Sequence, residues 1–540
     1  MSSSKTRCLL VSDFNIQPLA DFINHDETEP ACEAVVAPFG QVTPSLLELA
    51  SGDSQSRYDA VIVWTRVEGI DDIENFGAAL IAAARHVKHL FFVTWARPYF
   101  QRDLGIASMR SGGSALNLMR MNVGVCEHLS RQQNIFVLDS NAWISAAGAK
   151  AWSSKMWYLS KVPFSSEVFQ MAARDFKSAI QAIQGRNRKL IVLDLDDTLW
   201  GGIVGEIGWE ALRLGGHDPI GEAFADFQRA LKVLTESGIV LAIASKNDEA
   251  AALEAIDKHP EMVLRRSDFA AWRINWFDKA QNIVDITNEL NLDLSAVVYL
   301  DDSPAERNRI RSALPAVAVP EWPQDVFLYT QSLLELRYFD KVSVTDEDRL
   351  RSSMYVADRE RSKTKQAFQS VEDWLKSLDM EVSIEALSKA NVARAAQLFN
   401  KTNQMNLATR RLNEKELLDW AAEDQHEIYV FRVSDKFGDY GLTGLLGLKV
   451  DDGRALITDY LLSCRVMGRG LEQLMLSAAI DRARCAGVSE VRAKYVPTSK
   501  NAPCLSFLLN QSQFQNDGEH RFKWPVSDPY PCPAHIVVKK

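Results

Sequence analysis

"KLIVLDLDDTLWGG", Lys189 to Gly202, ends an apolar run in three acids within four residues: Asp194, Asp196 and Asp197. Lys189 to Leu193 read as a strand that is apolar on both faces, the pattern of a parallel sheet. Such sheets carry their functional groups in the loops beyond the strand ends. Carboxylates gathered there repel one another, so the arrangement calls for a cation between them or for chemistry that uses two acids side by side. Asp194, Asp196 and Thr198 form DxDxT, and residues i and i+2 at a strand end point the same way. One carboxylate can attack phosphorus while the other handles the leaving group's proton.

Working outward, "IVLAIASKND" places Ser245 at the end of a second buried strand, where its hydroxyl can bind a phosphoryl oxygen. Lys279, in "NWFDKAQNI", can neutralise charge on a transferring group. "AVVYLDDSPAER" ends a third strand in Asp301 and Asp302. With Asp194 these offer hard oxygen ligands for Mg²⁺, and Asp196 counts among the candidate ligands. In this order on successive α/β units, the set resembles the haloacid-dehalogenase superfamily of phosphotransferases over roughly residues 189–339. The resemblance implies Asp194 as nucleophile, Asp196 as general acid/base, Ser245 and Lys279 as phosphate stabilisers, and Asp301 or Asp302 as metal ligand. The residues between Asp194 and Ser245 suffice for a hairpin flap but not for a lid domain, so an open site is expected.

The chain of 540 residues exceeds one core, and its 46% hydrophobic and 24% charged residues are those of a globular protein. No apolar run is long enough to cross a bilayer, and a cytoplasmic location without membrane association is expected. Seven cysteines without CxxC or Cys/His spacing suggest neither zinc nor a disulfide framework. A net charge of −10 argues against nucleic acid as a partner.

The expected fold class is a multidomain α/β chain. Residues 1–185 alternate strand-like runs ("RCLLVSDF", "YDAVIVWT", "HLFFVTW", "NIFVLDS") with helical patterns. Residues 186–345 form the phosphatase-like domain, 346–375 a charged linker helix, and 376–540 an α+β domain. The "LLVSDFN" start resembles the first block of SGNH hydrolases, but Ser12, Asp13 and Phe14 stand where that block has Gly-Asp-Ser. No histidine lies between His128 and His217. An SGNH-like but non-hydrolytic docking or scaffold domain is therefore expected.

In the last domain, "SCRVMGRG" carries RxxGxG as Arg465, Gly468 and Gly470, between a strand and a helix. Glycines there let backbone N–H groups approach a diphosphate or a phosphopantetheine phosphate. With its flanking strands and "NAPCLSFLL", the segment resembles the GCN5-type N-acetyltransferase (GNAT) fold. Arg465, Gly468, Arg469, Gly470 and Asn501 are the candidate cofactor-contacting residues. Cys464 precedes the motif, where arginines and the helix dipole favour a thiolate; Cys504 is its rival, and Cys485 reads as packing.

Taken together, "DLDDTLWGGIVGE", "NWFDKAQNI", "LDDSPAER", "FNKTNQMNLATRRL" and "LLSCRVMGRG" resemble the FkbH-like glyceryltransferase/phosphatases of polyketide biosynthesis. That resemblance implies 1,3-bisphosphoglycerate as substrate, Mg²⁺ as cofactor, and an acyl-enzyme at Cys464. It also implies the phosphopantetheine thiol of an acyl carrier protein as acceptor. Arg410, Arg411, Arg465, Arg469, Arg492 and Lys494 are expected to supply a basic surface for an acidic carrier. Two alternatives stand beside this reading: a phosphatase fused to a CoA-dependent N-acetyltransferase acting on a sugar or amine, and a carrier-protein adaptor with vestigial chemistry.

Overall fold

A computed structural model describes residues 5–539, except 53–57, 71, 104, 343–353, 355–360, 362–367, 369, 403, 452 and 499–500. The chain divides into two compact units, one of residues 1–187 with 336–343 and the other of residues 188–335 with 344–540. Residues 336–343, expected to close the middle region, belong to the first unit. Arg337 pairs with Asp175, Ser178 donates to the Arg337 carbonyl at 2.7 Å, and Asn187 donates to the Asp340 carbonyl at 3.2 Å.

The first unit holds five strands: β1 (Thr6–Ser12), β2 (Cys32–Val36), β3 (Ala60–Trp64), β4 (His89–Val93) and β5 (Ile135–Leu138). All neighbours are parallel, in the order β2-β1-β3-β4-β5. Separate clusters cover the two faces, one centred on Phe14, Trp64, Trp143 and Phe169, the other on Leu80, Phe92 and Trp95. The short edge strand β2 buries only Cys32 and Ala34 of its five residues, which is why its sequence carried no clear strand period.

The second unit opens with β6 (Leu190–Leu193), β7 (Val240–Ser245), β8 (Phe269–Ile274) and β9 (Val297–Leu300). They form a parallel sheet in the order β8-β7-β6-β9. The order reverses at β6, and a parallel sheet opens a crevice at the carboxyl ends where that happens. The longer helices that follow start at a local cap. Asp218 accepts from Gly221 N ahead of Pro219–Glu236, Asp278 from Ala280 N ahead of Lys279–Glu289, and Ser303 from Glu306 N ahead of Pro304–Ala313. Between β6 and the helix at Pro219 lies only a flap, closed by backbone pairing of Gly201 with Arg213.

Strands β10 (Met380–Ala386), β11 (Met405–Asn406), β12 (His426–Asp435), β13 (Gly438–Asp451), β14 (Arg454–Leu462), β15 (Glu490–Lys494), β16 (Gln515–Asn516), β17 (Arg521–Pro525) and β18 (Ile536–Lys539) build a nine-stranded mixed sheet. Its large core packs the helix Leu471–Cys485 on one face. The segment after residue 376 begins with β10. Most of the expected linker helix lies outside the described residues.

Candidate active site

The carboxyl ends of β6, β7 and β9 bring Asp194, Ser245, Asp301 and Asp302 together, and the helix start at Lys279 adds a buried cation. Lys279 Nζ lies 2.9 Å from Asp194 Oδ2 and 2.6 Å from Asp301 Oδ2. Ser245 is buried beside Asp194, where its hydroxyl helps to hold the Asp194 pKa down. Burial is the largest influence on the Asp194 carboxyl and pushes its pKa up, the nearby Asp301 adding to this while Lys279 pulls it down. Lys279 is held above its ordinary pKa: burial acts against its charge, but Asp194 and Asp301 outweigh it. The ammonium therefore stays charged inside the protein.

Asp194, Asp301 and Asp302 each offer an oxygen, all within 4.8 Å of one another. Asp194 Oδ1 is buried and has no hydrogen-bond partner, a costly state for a carboxylate oxygen in a protein interior. Three converging acids with one unsatisfied oxygen fit a divalent cation of the Mg²⁺ kind. The two neighbouring acids differ in freedom. Asp301 accepts from Lys279, from the Tyr299 hydroxyl and, through Oδ1, from Ser303 N at 2.8 Å. Asp302 has only a long contact from Thr198 Oγ1 at 3.4 Å. Its pKa is pushed up to about 6 by burial and by the carboxylates of Asp301, Asp194 and Asp197, a crowding that a cation would relieve.

Asp196, expected both as acid/base and among the metal ligands, has its carboxylate elsewhere. Oδ1 accepts from Trp200 Nε1 at 2.8 Å and Val204 N at 3.1 Å, and Oδ2 from Asn247 Nδ2 at 2.8 Å. It stands outside the group of three converging acids because these donors turn it toward the flap. Burial raises its pKa, which favours the protonated form that a general acid must reach. Trp200, Asn247 and Tyr299 were not singled out from the sequence. The signal was present, since Tyr299 lies two residues before Asp301 on one strand face and Asn247 follows Ser245.

The C-terminal candidates separate differently. Gly468 and Gly470 both have left-handed backbones, with φ of 72° and 87°, so a glycine-dependent turn is there as expected. Its groups are engaged within the protein. Gly468 N donates to Glu472 Oε1 at 2.6 Å, and a Cβ on Gly470 would meet His535 at 3.0 Å. Arg469 turns toward Tyr440 and Asp435, while Arg465 contacts Ser463 and Met354.

Asn501 is fully buried. Its Nδ2 donates to the carbonyls of Asn406 and Val496, both at 2.9 Å, and its Oδ1 accepts from Thr498 N and the Tyr495 hydroxyl. Every hydrogen-bonding site of the amide is used. The cofactor-contacting role expected of Asn501 is thus replaced by that of an internal clamp. β14 and β15 pair only from Arg454–Ile457, and β11 bonds to β14 beyond that point. Leu407 N donates to Tyr460 O, and Val496 N donates to Leu407 O. Residues 405–407 thereby bridge the separating strands.

The side chain of Cys464 lies outside the described residues; its backbone begins the short turn Cys464–Val466. Its rival Cys504 is fully buried, and burial pushes its thiol up to about 12, so it makes a poor nucleophile. Cys485 is exposed at a helix end. The expected basic surface is largely neutralised. Arg410 pairs with Asp459, Arg411 reaches the Phe399 carbonyl, and Arg492 pairs with Glu490.

Comparison with solved structures agrees with the phosphatase geometry. The crystal structure of the N-terminal part of BF1531 from Bacteroides fragilis, containing a phosphatase domain complexed with Mg, is 27% identical, with a TM-score of 0.57, and the match covers 63% of this chain and 95% of that one. The ribosomal-protein-S18-alanine N-acetyltransferase from Escherichia coli is 12% identical over 27% of this chain and 96% of its own, TM-score 0.21. A GNAT-family acetyltransferase from Staphylococcus aureus Mu50 is 8% identical over 27% of this chain and 99% of its own, TM-score 0.21. No protein-family model and no curated protein matches the chain. The chain contains a haloacid-dehalogenase-like phosphatase domain.

Proposed function

We propose that the protein is a Mg²⁺-dependent phosphatase working through Asp194, joined to an acetyltransferase-like domain that moves an acyl group. The observation that carries the first part is the Asp194 carboxylate, with one oxygen held by Lys279 and the other buried and unpartnered among acids. Asp194, Asp302 and Asp301 would hold the ion, which supplies charge neutralisation for the phosphoryl group. The Asp194 carboxylate attacks phosphorus, and Ser245 and Lys279 hold the transferring oxygens. Asp196, oriented by Trp200 and Asn247, gives a proton to the leaving oxygen and then takes one from the hydrolytic water. The Mg complex of the Bacteroides fragilis phosphatase domain supports the choice of ion.

The finer reading takes 1,3-bisphosphoglycerate as substrate. The Cys464 thiolate attacks the C1 carbonyl and expels the acyl phosphate as inorganic phosphate. The phosphatase site hydrolyses the remaining 3-phosphomonoester. The phosphopantetheine thiol of a carrier protein then takes the glyceryl group, releasing the Cys464 thiolate. The motif resemblance supports this reading, as does the exclusion of Cys504 as a competing thiol. The second reading, CoA-dependent N-acetylation of an amine, draws on the left-handed glycine turn ahead of the helix at Leu471. Incubation with 1,3-bisphosphoglycerate, Mg²⁺ and a phosphopantetheinylated carrier protein, followed by intact-mass measurement, separates them. The first reading expects a glyceryl mass on the carrier that Cys464→Ser abolishes while phosphate release continues. Acetyl transfer from acetyl-CoA to an amine, unaffected by Cys464→Ser, would favour the second.

A further inference from the structure

The carboxyl edge of an open parallel sheet is where such folds place a ligand site, and the first unit closes that edge with its own residues. Ser12 Oγ accepts from Phe14 N at 3.1 Å, and Asp13 pairs with Arg66 at 3.3 Å. Arg66 lies over the Trp157 ring at 4.3 Å, and Asn15 N donates to the Lys161 carbonyl at 2.9 Å. These contacts lay the helix Ser154–Ser160 across the ends of β1 and β3. None of its residues is buried, and Tyr158 and Leu159 are 78% and 71% exposed.

The loop after β4 leaves the same carboxyl edge of the sheet, since β3 and β4 run parallel. Tyr99 and Phe100 project from it, and the turn Gly105–Met109 presents Met109 and Ile106, the latter 88% exposed. The loop is tied down: Arg97 bonds both Asp103 and Ser114, and Trp95 exchanges two hydrogen bonds with Asn122. A Cβ on Gly113 would lie 2.3 Å from the Ser108 carbonyl, so only glycine lets the backbone close on the turn. Since β1, β3 and β4 are neighbours, their ends fall within roughly 10 Å.

Two segments of this edge run against the charge of the chain, while the loop after β3 brings the exposed acids Glu68 and Asp72 to it. Residues 97–110 hold three arginines and one aspartate, and residues 150–161 hold three lysines and no acid, in a protein of net charge −10. Arg102, Arg110, Lys150 and Lys155 are exposed. We propose that this edge is a docking face for an acidic carrier-type protein domain, with the exposed aromatic and aliphatic side chains as anchors and the cations as rim. The inference rests on the carrier reading above, and it relocates the basic surface once expected near Arg410 and Arg492. A central apolar group ringed by charge is the anatomy of a protein interface; a nucleic-acid site would present a track of cations with few apolar groups.

The test uses the full chain and a phosphopantetheinylated acyl carrier protein, with affinity read by biolayer interferometry and p-nitrophenyl phosphate hydrolysis measured in parallel. The variants Ile106→Ser with Tyr158→Ser, and Arg102→Glu with Arg110→Glu, alter exposed positions only. Each pair is expected to weaken carrier binding at least tenfold, and raised salt to weaken the parent, with p-nitrophenyl phosphate turnover unchanged. No binding by the parent, or equal binding by both pairs, overturns the proposal while leaving the phosphatase reading to its own assay. So does retained carrier binding when the variants instead lose self-association, duplex DNA, or phosphatidylglycerol vesicles.

Discussion

Asp194 and Lys279 show how one buried cation holds two acids whose mutual repulsion would otherwise open the site. Asp194→Asn keeps the volume and removes the attacking anion. Phosphate release measured with Mg²⁺ present should fall at least a thousandfold, as removal of a covalent nucleophile does, without loss of fold. Asn247→Ala acts through Asp196: it frees the carboxylate from one donor and should lower kcat about tenfold with little change in KM. Glu472 offers a pH test of the glycine turn. Burial raises its carboxyl pKa, so the folded protein binds that proton more tightly than the unfolded chain does. The cost of its charge is then present above the folded pKa and absent below the unfolded value. Glu472→Gln keeps the acceptor for Gly468 N, and thermal denaturation should show stabilisation at pH 8 that disappears toward pH 4.

Among the elements, the bridge formed by residues 405–407 depends on one side chain. Asn501→Ala strands the Asn406 carbonyl and the Tyr495 hydroxyl in the interior, a loss of about 3 kcal/mol or more, readable as a lowered denaturant midpoint. The turn before the helix at Leu471 is a second test. Gly470→Ala meets both a left-handed φ and His535, and should cost about 1–2 kcal/mol. Adding His535→Ala should recover the contact part and leave the backbone part, a coupling that a double-mutant cycle measures.

Across the whole molecule, a cation that binds only the folded state stabilises it in proportion to its concentration. Mg²⁺ should therefore raise the unfolding temperature of the parent in thermal-shift measurements. Asp302→Asn, which removes the acid with the fewest hydrogen bonds, should abolish most of that rise. The first unit should show no esterase activity, because Ser12 is occupied by Phe14 N and no histidine is hydrogen-bonded to it among the described residues. Full-length Asp194→Asn protein assayed with p-nitrophenyl acetate checks this without interference from the phosphatase.

The local pattern was enough for the three strand ends that carry Asp194, Ser245 and Asp301, because a strand apolar on both faces followed by acids has few other uses. It also sufficed for the left-handed turn at Gly468 and Gly470, where glycine spacing reports backbone geometry directly. Edge strands β2 and β18 were not legible, since they are only five and four residues long and bury few of them, too short a signal to separate strand from loop. Only the fold decided how side chains share partners. Asp196 is turned to Trp200 and Asn247, Asn501 to an internal clamp, Cys504 to the core, and Arg410 and Arg492 to acids distant or near in sequence. Spacing along a chain reports which residues can meet; burial and the competition of neighbouring donors and acceptors settle which of them are left for a ligand.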